Sequence, residues 1–312
     1  MPLTRRDLVF QGALATGAML TARSLFAQAP AATPAPAPAP ALVPVWNELR
    51  GGVGTFSASG GTIGWLVTPD AAVVVDTQMP DPARLFLEGF RGRTARTIDM
   101  VINTHHHWDH TGGNGVLRPA TTTIVAHANV PALQRRAAEE RNLPEQTYAD
   151  TTFTDAWRRD LGSEAVSARH FGPAHTGGDI VVHFEKADVV HMGDLVFNRL
   201  YAVIDRKAGA SIRGWIELLE KAAALYGDSP VYVFGHVKPE LPVTGTKADL
   251  LYQRDYLSAL LEYAGTGLAA GKSVEEIAAA EGLPGFPDHV GRGTMLSLAT
   301  NLRIACEELA GS

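Results

Sequence analysis

The segment from Asn103 to Gly115, NTHHHWDHTGGNG, holds four of the protein's eleven histidines directly after an apolar run. His105 and His107 are two residues apart, so at the end of an extended strand both rings point to one side and can bind one metal ion. Asp109 and His110 follow as the chain turns and can face a second ion. The His-x-His-x-Asp-His spacing therefore predicts a metal site.

Neighbouring residues are predicted to have other roles. His106 points the opposite way if the segment is extended, so we interpret it as a residue that packs against or supports the ligands. Trp108 is interpreted as part of an apolar wall. Gly112 and Gly113 allow a sharp bend, after which a helix can start near Asn114.

Three further candidate ligands follow apolar runs later in the chain. His175 lies in GPAHTGGD, Asp194 in HMGD and His236 in FGH, each next to a break at a strand end, where α/β proteins build their sites. Together with the first cluster they provide enough ligands for two ions that share one carboxylate. The remaining histidines are predicted to be structural: His127, His170, His183, His191 and His289.

The elements that must position these side chains alternate between strand and helix. A hairpin is predicted at 61–78, and further strands at 97–104, 121–127, 166–171, 179–185, 188–194 and 230–236. Helices are predicted at 81–93 with Asp81 as N-cap, and at 130–141, 211–227, 246–270, 273–281 and 291–310. Residues 142–165 have no clear period and are predicted as a long loop. The alternation indicates a layered α/β architecture.

Composition excludes several classes of protein. The chain has 312 residues and a formal net charge of −6, and no block rich in Lys or Arg, so we expect no nucleic-acid partner. Cys306 is the single cysteine, which excludes an intrachain disulfide and a cysteine-based structural zinc site. We interpret it as a small apolar residue on the last helix.

Residues 1–29 are predicted to be an export signal. Arg5 and Arg6 precede a moderately apolar stretch that contains Gly12 and Gly17, and this resembles the twin-arginine type. The alternative, an uncleaved membrane anchor, is disfavoured because residues 8–20 are too few for a span of about 20 apolar residues. We therefore expect a periplasmic or secreted protein with no stable membrane insertion after the signal is removed.

The signal is followed by a spacer and then by the folded domain. Residues 30–41 form a Pro/Ala tract, which favours an extended, stiff linker without a core of its own. The domain is predicted to occupy residues 42–312.

The motifs NTHHHWDHTGG, GPAHTGGD, HMGD and FGH, in this order, resemble the metallo-β-lactamase superfamily over roughly residues 45–240. The resemblance implies an αββα sandwich with a metal site at one edge, and Asp76 as a residue that supports the site from behind the ligands. It also divides the ligands between two ions: His105, His107 and His175 for one, Asp109, His110 and His236 for the other, with Asp194 bridging both.

Two features of the sequence differ from patterns common in this superfamily and narrow the choice among its branches. Zinc β-lactamases commonly have Cys or Ser where this chain has Asp194, and a bridging aspartate is more similar to the glyoxalase II, lactonase and broader hydrolase branches. The segment from Phe234 to Lys238, FGHVK, replaces the more usual Pro-Gly-His-Gly. The helices after residue 246 carry no motif that would identify a substrate.

The predicted function is metal-dependent hydrolysis of a small-molecule substrate at an ester, lactone, thioester, amide or β-lactam bond. Two divalent ions, Zn²⁺ as first choice with Fe or Mn as alternatives, would activate a water that Asp109 orients and deprotonates. Candidate substrate contacts are Phe153, Trp157, Tyr201 and Lys238. Two alternatives stay open: a mononuclear-iron persulfide dioxygenase of the same fold, and a non-catalytic periplasmic metal-binding module.

Overall fold

Two β-sheets dominate residues 42–311, the part of the chain that our computed structural model describes. The first sheet runs in chain order through β1 (Val45–Glu48), β2 (Val53–Ser57), β3 (Ile63–Val67), β4 (Ala72–Val75), β5 (Ile98–Ile102), β6 (Thr121–His127) and β7 (Thr151–Phe153). Strands β1 to β4 are antiparallel, and β4 to β7 are parallel. The predicted signal and linker lie outside the described residues.

The second sheet has the strand order β15-β13-β11-β10-β9-β8. Its strands are β8 (Ala156–Asp160), β9 (Ala165–Arg169), β10 (Val181–Phe184), β11 (Val189–His191), β13 (Val231–Val233) and β15 (Thr244–Gly245). A short parallel pair, β12 (Phe197–Asn198) and β14 (His236–Val237), lies outside both large sheets and pairs Phe197 with His236.

The helices occupy the connections between strands and the C-terminal part. They are α1 (Pro80–Arg91), α2 (Trp108–Thr111), α3 (Asn114–Leu117), α4 (Val130–Arg141), α5 (Ile212–Tyr226), α6 (Lys247–Ala269), α7 (Val274–Ala278) and α8 (Leu298–Leu309). None of the described helices is long and apolar enough to cross a membrane.

Side chains alternate between the two faces of a strand and so pack into the layers on both sides of the sheet. In β4, Val73 and Val75 belong to the apolar cluster that also contains Val182 of the second sheet, whereas Val74 packs in a cluster with Phe86 of α1. Successive strand residues point to opposite faces, so one strand serves both layers. A third cluster packs the second sheet against α5, α6 and α8. The order helix, sheet, sheet, helix confirms the predicted αββα sandwich.

Three predictions about the elements were wrong. The segment 142–165 is not one long loop, because it contains β7 and β8, two short strands that are largely exposed and so lack a hydrophobic period. Asp81 is not the N-cap of α1; Met79 has that position and Asp81 lies in the first turn, where it pairs with Arg84. The last helix begins at Leu298 rather than near 291, because Ser297 caps it by accepting the amide of Thr300.

Candidate metal centre

Strand β5 leads straight into the histidine cluster. After β5 the backbone bends at residues 104–106, and only His107, with φ −63° and ψ 147°, is extended before α2 begins at the next residue. The extended segment predicted through the cluster is therefore wrong for residues 104–106. This local change in backbone explains how the cluster divides. His105 and His107 precede α2 and lie in one group of candidate ligands, whereas Asp109 and His110 lie in the first turn of α2 and belong to another.

The first group of candidate ligands joins this segment to residues distant in sequence. His107 Nδ1 lies 3.1 Å from Nε2 of His175, which follows β9. Asp194, in a 3₁₀ turn after β11, places Oδ2 3.6 Å from His175 Nε2 and 3.8 Å from His105 Nε2. One donor atom from each of these four residues lies within 4.8 Å of all the others. They surround a space of the size that one metal ion needs.

The second group lies on the other side of Asp194. His236 Nε2 is 3.1 Å from Asp109 Oδ2 and 3.5 Å from His110 Nε2. Asp194 contacts this group as well, with Oδ1 2.9 Å from His110 Nε2 and Oδ2 3.3 Å from His236 Nε2. A single carboxylate therefore contacts both groups, as a shared bridging ligand would. The structure brings all seven predicted ligands together, and their binding of metal stays a prediction.

The polar atoms of the first group suit a metal ion. The His105 side chain is fully buried, and its Nε2 has no hydrogen-bond partner among the described residues. A buried polar nitrogen without a partner is costly, and a cation bound between it and Asp194 would remove that cost. Burial lowers the pKa of His105 well below its usual range and that of His175 to about 4. Both rings are thus neutral at pH 7, which is the state that binds metal.

The two histidines of the second group lie close to the carboxylates of Asp109 and Asp194. Burial would lower the pKa of His236, but Asp194 and Asp109 raise it to about 9. Burial likewise opposes the charge of Asp194, yet His110 and His236 hold its pKa well below the usual range. The carboxylates therefore attract positive charge, which protons supply in the metal-free protein. A divalent cation provides the same charge without protonated imidazoles, so the residues fit a second ion.

Asp76 supports the centre from behind. Its carboxylate accepts hydrogen bonds from the amide and the hydroxyl of Thr104 and from Nδ1 of His110, each at 2.7 Å. Its φ of 63° lies in the left-handed region, which is uncommon for a residue with a side chain. This strained position directs the carboxylate at His110 and leaves His110 Nε2 free to face Asp194.

The second group is the more exposed side of the centre, although His107 in the first group is 14% exposed and lines a cavity with Asp205. The side chains of His105, His110 and His175 are fully buried, whereas Asp109 and His236 are 33% and 23% exposed. A substrate can therefore approach from the side where Asp109 and His236 lie.

The other residues singled out in the sequence lie outside the two groups around Asp194. His106 is buried outside the two groups around Asp194, with Nε2 3.8 Å from Asp205 Oδ2. Phe153 and Trp157 pack against the core between the sheets. Tyr201 stacks on His289, and Lys238 donates to the carbonyl of Asp288.

One residue next to the centre, Asp205, was not predicted from the sequence. Asp205 Oδ2 accepts a hydrogen bond from His107 Nε2 at 3.0 Å. It lies 98 positions away along the chain, in a segment without a motif, IDRKAG. The only local signal is an aspartate a few residues before Gly209, which indicates a capped turn rather than a contact with a ligand.

The sandwich and the two groups of candidate ligands define a class of protein with a potential metal site at the ends of its strands. The sequence profile of the metallo-beta-lactamase superfamily matches residues 58–236, and the chain belongs to this superfamily. Among curated relatives, the hydroxyacylglutathione hydrolase of Methylococcus capsulatus is 31% identical over 167 residues, which cover 52% of this chain and 56% of that protein. The chain spans about half the length of the curated relatives it matches.

Solved structures show the same fold. A metallo-beta-lactamase from Pontibacter korlensis superposes with a TM-score of 0.56 at 20% identity, over 69% of this chain and 99% of that one. A double mutant of the sec-alkyl sulfatase PisA1 superposes with a TM-score of 0.63 at 17% identity, over 86% of this chain and 50% of that one. At these identities the likeness shows the fold and not the substrate.

Proposed function

We propose that the chain is a metal-dependent hydrolase that cleaves a carbonyl-type bond in a small molecule, with thioesters as the first class to test. The observation that carries this proposal is the contact of Asp194 with both ligand groups. The names of the curated relatives, hydroxyacylglutathione hydrolases at about 30% identity, favour a thioester. Esters, lactones, amides and β-lactams remain further candidates.

Two divalent ions in these groups would supply Lewis acidity to the scissile carbonyl and lower the pKa of the attacking water. Asp109 would orient that water, because it is the more exposed of the two carboxylates among the candidate ligands. Burial raises its pKa, but His110 and His236 lower it below the usual range, so Asp109 is ionised at neutral pH and can accept a hydrogen bond from that water.

The reaction balances with residues of the chain alone as proton carriers. The water oxygen bonds to the thioester carbonyl carbon, and the carboxylate of Asp109 takes one water proton. The carbon–sulfur bond then breaks, and the proton passes from Asp109 to the departing thiolate. No serine or cysteine nucleophile is required, and the single cysteine, Cys306, is buried on α8.

The test uses the full chain loaded with Zn²⁺, Mn²⁺ or Fe²⁺ and assayed on a hydroxyacylglutathione, a lactone, a phosphodiester and a β-lactam. We expect zinc-dependent thioester cleavage that a chelator abolishes and added metal restores. Asp109→Asn should keep the fold while turnover falls at least about 100-fold. One iron per chain with oxygen consumption would instead identify the dioxygenase alternative. Stable metal binding without any turnover would identify a binding module.

We also propose export by a twin-arginine route, which rests on the sequence of residues 1–29 alone. The double change Arg5→Lys and Arg6→Lys should retain the chain in the cytoplasm, whereas the unchanged chain should reach the periplasm. Immunoblots of separated cell fractions would measure this, and periplasmic chain in equal amounts in both cases would contradict the proposal.

A further inference from the structure

Metal-binding histidines usually donate their outer ring N–H to an acceptor, which fixes the tautomer and the orientation of the ring. In the second group, Asp76 is the acceptor for His110. In the first group, the carbonyl of Val203 accepts from Nδ1 of His175 at 2.8 Å. The acceptor for His107 is Asp205, so the two ligand groups each contain one histidine backed by a carboxylate.

Asp205 is itself held in place from several directions. Its Oδ1 accepts the amide of Ala208 at 3.0 Å, and its backbone N–H donates to the carbonyl of His175 at 3.2 Å. Its carbonyl accepts the amide of Ala210 at 3.0 Å, and Gly209 closes the turn with a φ of 87°. The carboxylate therefore meets His107 with little freedom to move.

Asp205 is connected to two of the three histidines in the first group. It bonds the ring of His107 through its side chain and the backbone of His175 through its amide, and Val203, two residues earlier, accepts from the ring of His175. The segment 203–205 thus supports this group from behind. The described residues show no such contact from this segment to Asp109, His110 or His236.

We propose that Asp205 is the positioning residue of the first ion: its carboxylate accepts the Nε2–H of His107 and so keeps Nδ1 of that ring unprotonated and directed at the ion. This inference rests on the metal binding assumed in the proposed function. It predicts that Asp205 sets the affinity of one ion selectively and leaves the other unchanged.

Asp205 also belongs to a geometric cluster with His106 and His107, whose donor atoms lie within 4.8 Å of one another. Asp205 Oδ2 is 3.0 Å from His107 Nε2 but 3.8 Å from His106 Nε2, which is hydrogen-bond distance for His107 only. The geometry therefore favours a hydrogen bond to His107 over a third metal ion. The number of ions bound per chain distinguishes the two.

Asp205→Asn tests the proposal because it replaces the carboxylate by an amide of nearly the same shape. The amide oxygen can still accept the N–H of Ala208, so the turn is preserved. The amide NH₂ then faces His107 Nε2 and favours the tautomer that carries its proton on Nδ1, which cannot bind metal. Because the Asp205 side chain is 26% exposed, water can enter beside it and the variant should fold.

The measurement is metal stoichiometry and affinity by chelator competition with Zn²⁺, in the full chain. We expect one of the two ions to bind roughly 10- to 100-fold more weakly in Asp205→Asn and the other to be unchanged. Asp205→Glu, which restores a carboxylate, should recover part of the affinity. Asp150→Asn is the matched control, because its carboxylate contacts Thr123 and Arg118 instead of a histidine and its loss should leave both ions unchanged.

Anomalous scattering at the zinc edge from crystals of each variant would show which site has lost its ion. Loss confined to the group of His105, His107 and His175 supports the proposal. Unchanged affinity, equal loss of both ions, or a third ion bound to Asp205 would each overturn it. These outcomes are independent of turnover: two tightly bound ions without hydrolysis would refute the proposed function and leave the role of Asp205 intact.

Discussion

Gly235 allows the chain carrying His236 to pass close to the carboxylate of Asp194, and Gly235→Ala tests this contact. The amide of Gly235 donates to the carbonyl of Gly193 at 2.7 Å, and its own carbonyl accepts the amide and the hydroxyl of Thr62. A Cβ at this position would overlap Oδ1 of Asp194 and lie 2.7 Å from the carbonyl carbon of Gly193 and 2.8 Å from its oxygen.

The size of the effect follows from these distances. Real Cβ atoms essentially never approach other atoms within 3.0 Å, so the backbone at Gly193 must retreat by at least about 0.3 Å, and it carries Asp194 with it. The φ of Gly235 is outside the left-handed region, so alanine can adopt it and the cost is steric. Overpacking of this kind costs about 1–3 kcal/mol, and a displaced Asp194 should weaken both ions.

Urea unfolding of the metal-free protein measures the free energy, and elemental analysis after dialysis counts the ions. Gly265→Ala is the matched control, because this residue lies inside α6 and its Cβ would meet only Leu309 Cδ1 at 3.6 Å. We expect the control to be stabilised by about 0.5–1 kcal/mol. If Gly235→Ala is as stable as the unchanged chain and retains two ions, the close passage beside Asp194 does not exist in solution.

Further predictions concern pH and metal removal. Burial lowers the pKa of His289 from 6.5 to about 4, so the unfolded chain takes up this proton first and stability is lost as the pH falls between these values. His289→Phe keeps the stack on Tyr256, and urea midpoints should show it losing about 2 kcal/mol less than the unchanged chain between pH 7 and 5; equal losses would contradict this. Chelation should lower the melting temperature, because ions at 100 times their Kd stabilise by about 2.7 kcal/mol. A melting curve insensitive to chelator and to added Zn²⁺ would argue against any ion in the folded state.

Local patterns predicted the elements where one face is strongly apolar or a helix is well delimited. The bounds of β6 and α4 agree with the predicted 121–127 and 130–141. Strands β7 and β8 were missed because their side chains are mostly exposed, and a strand of the sequence AWRRD has no alternation to detect. β7 pairs with β6, which is distant in the sequence, and β8 pairs with the next strand, β9, in a hairpin whose strands lack a clear apolar alternation.

The sequence by itself determined which residue types are available for the site and how the first cluster divides. The spacing predicted that His105 and His107 share one group and that Asp109 and His110 belong to another, and this grouping is found although the backbone bends at residues 104–106. The start of α2 after His107 separates the two pairs. These are consequences of backbone geometry over a few residues, so they can be derived locally.

Only the tertiary structure decided what lies behind the ligands. The hydrogen bond between Asp205 and His107 joins residues 98 positions apart, and the position of Asp194 between both groups depends on how the second sheet packs against the first. Such contacts are fixed by the packing of whole layers, where a shift of one ångström breaks a hydrogen bond. No local pattern in the sequence carries that information.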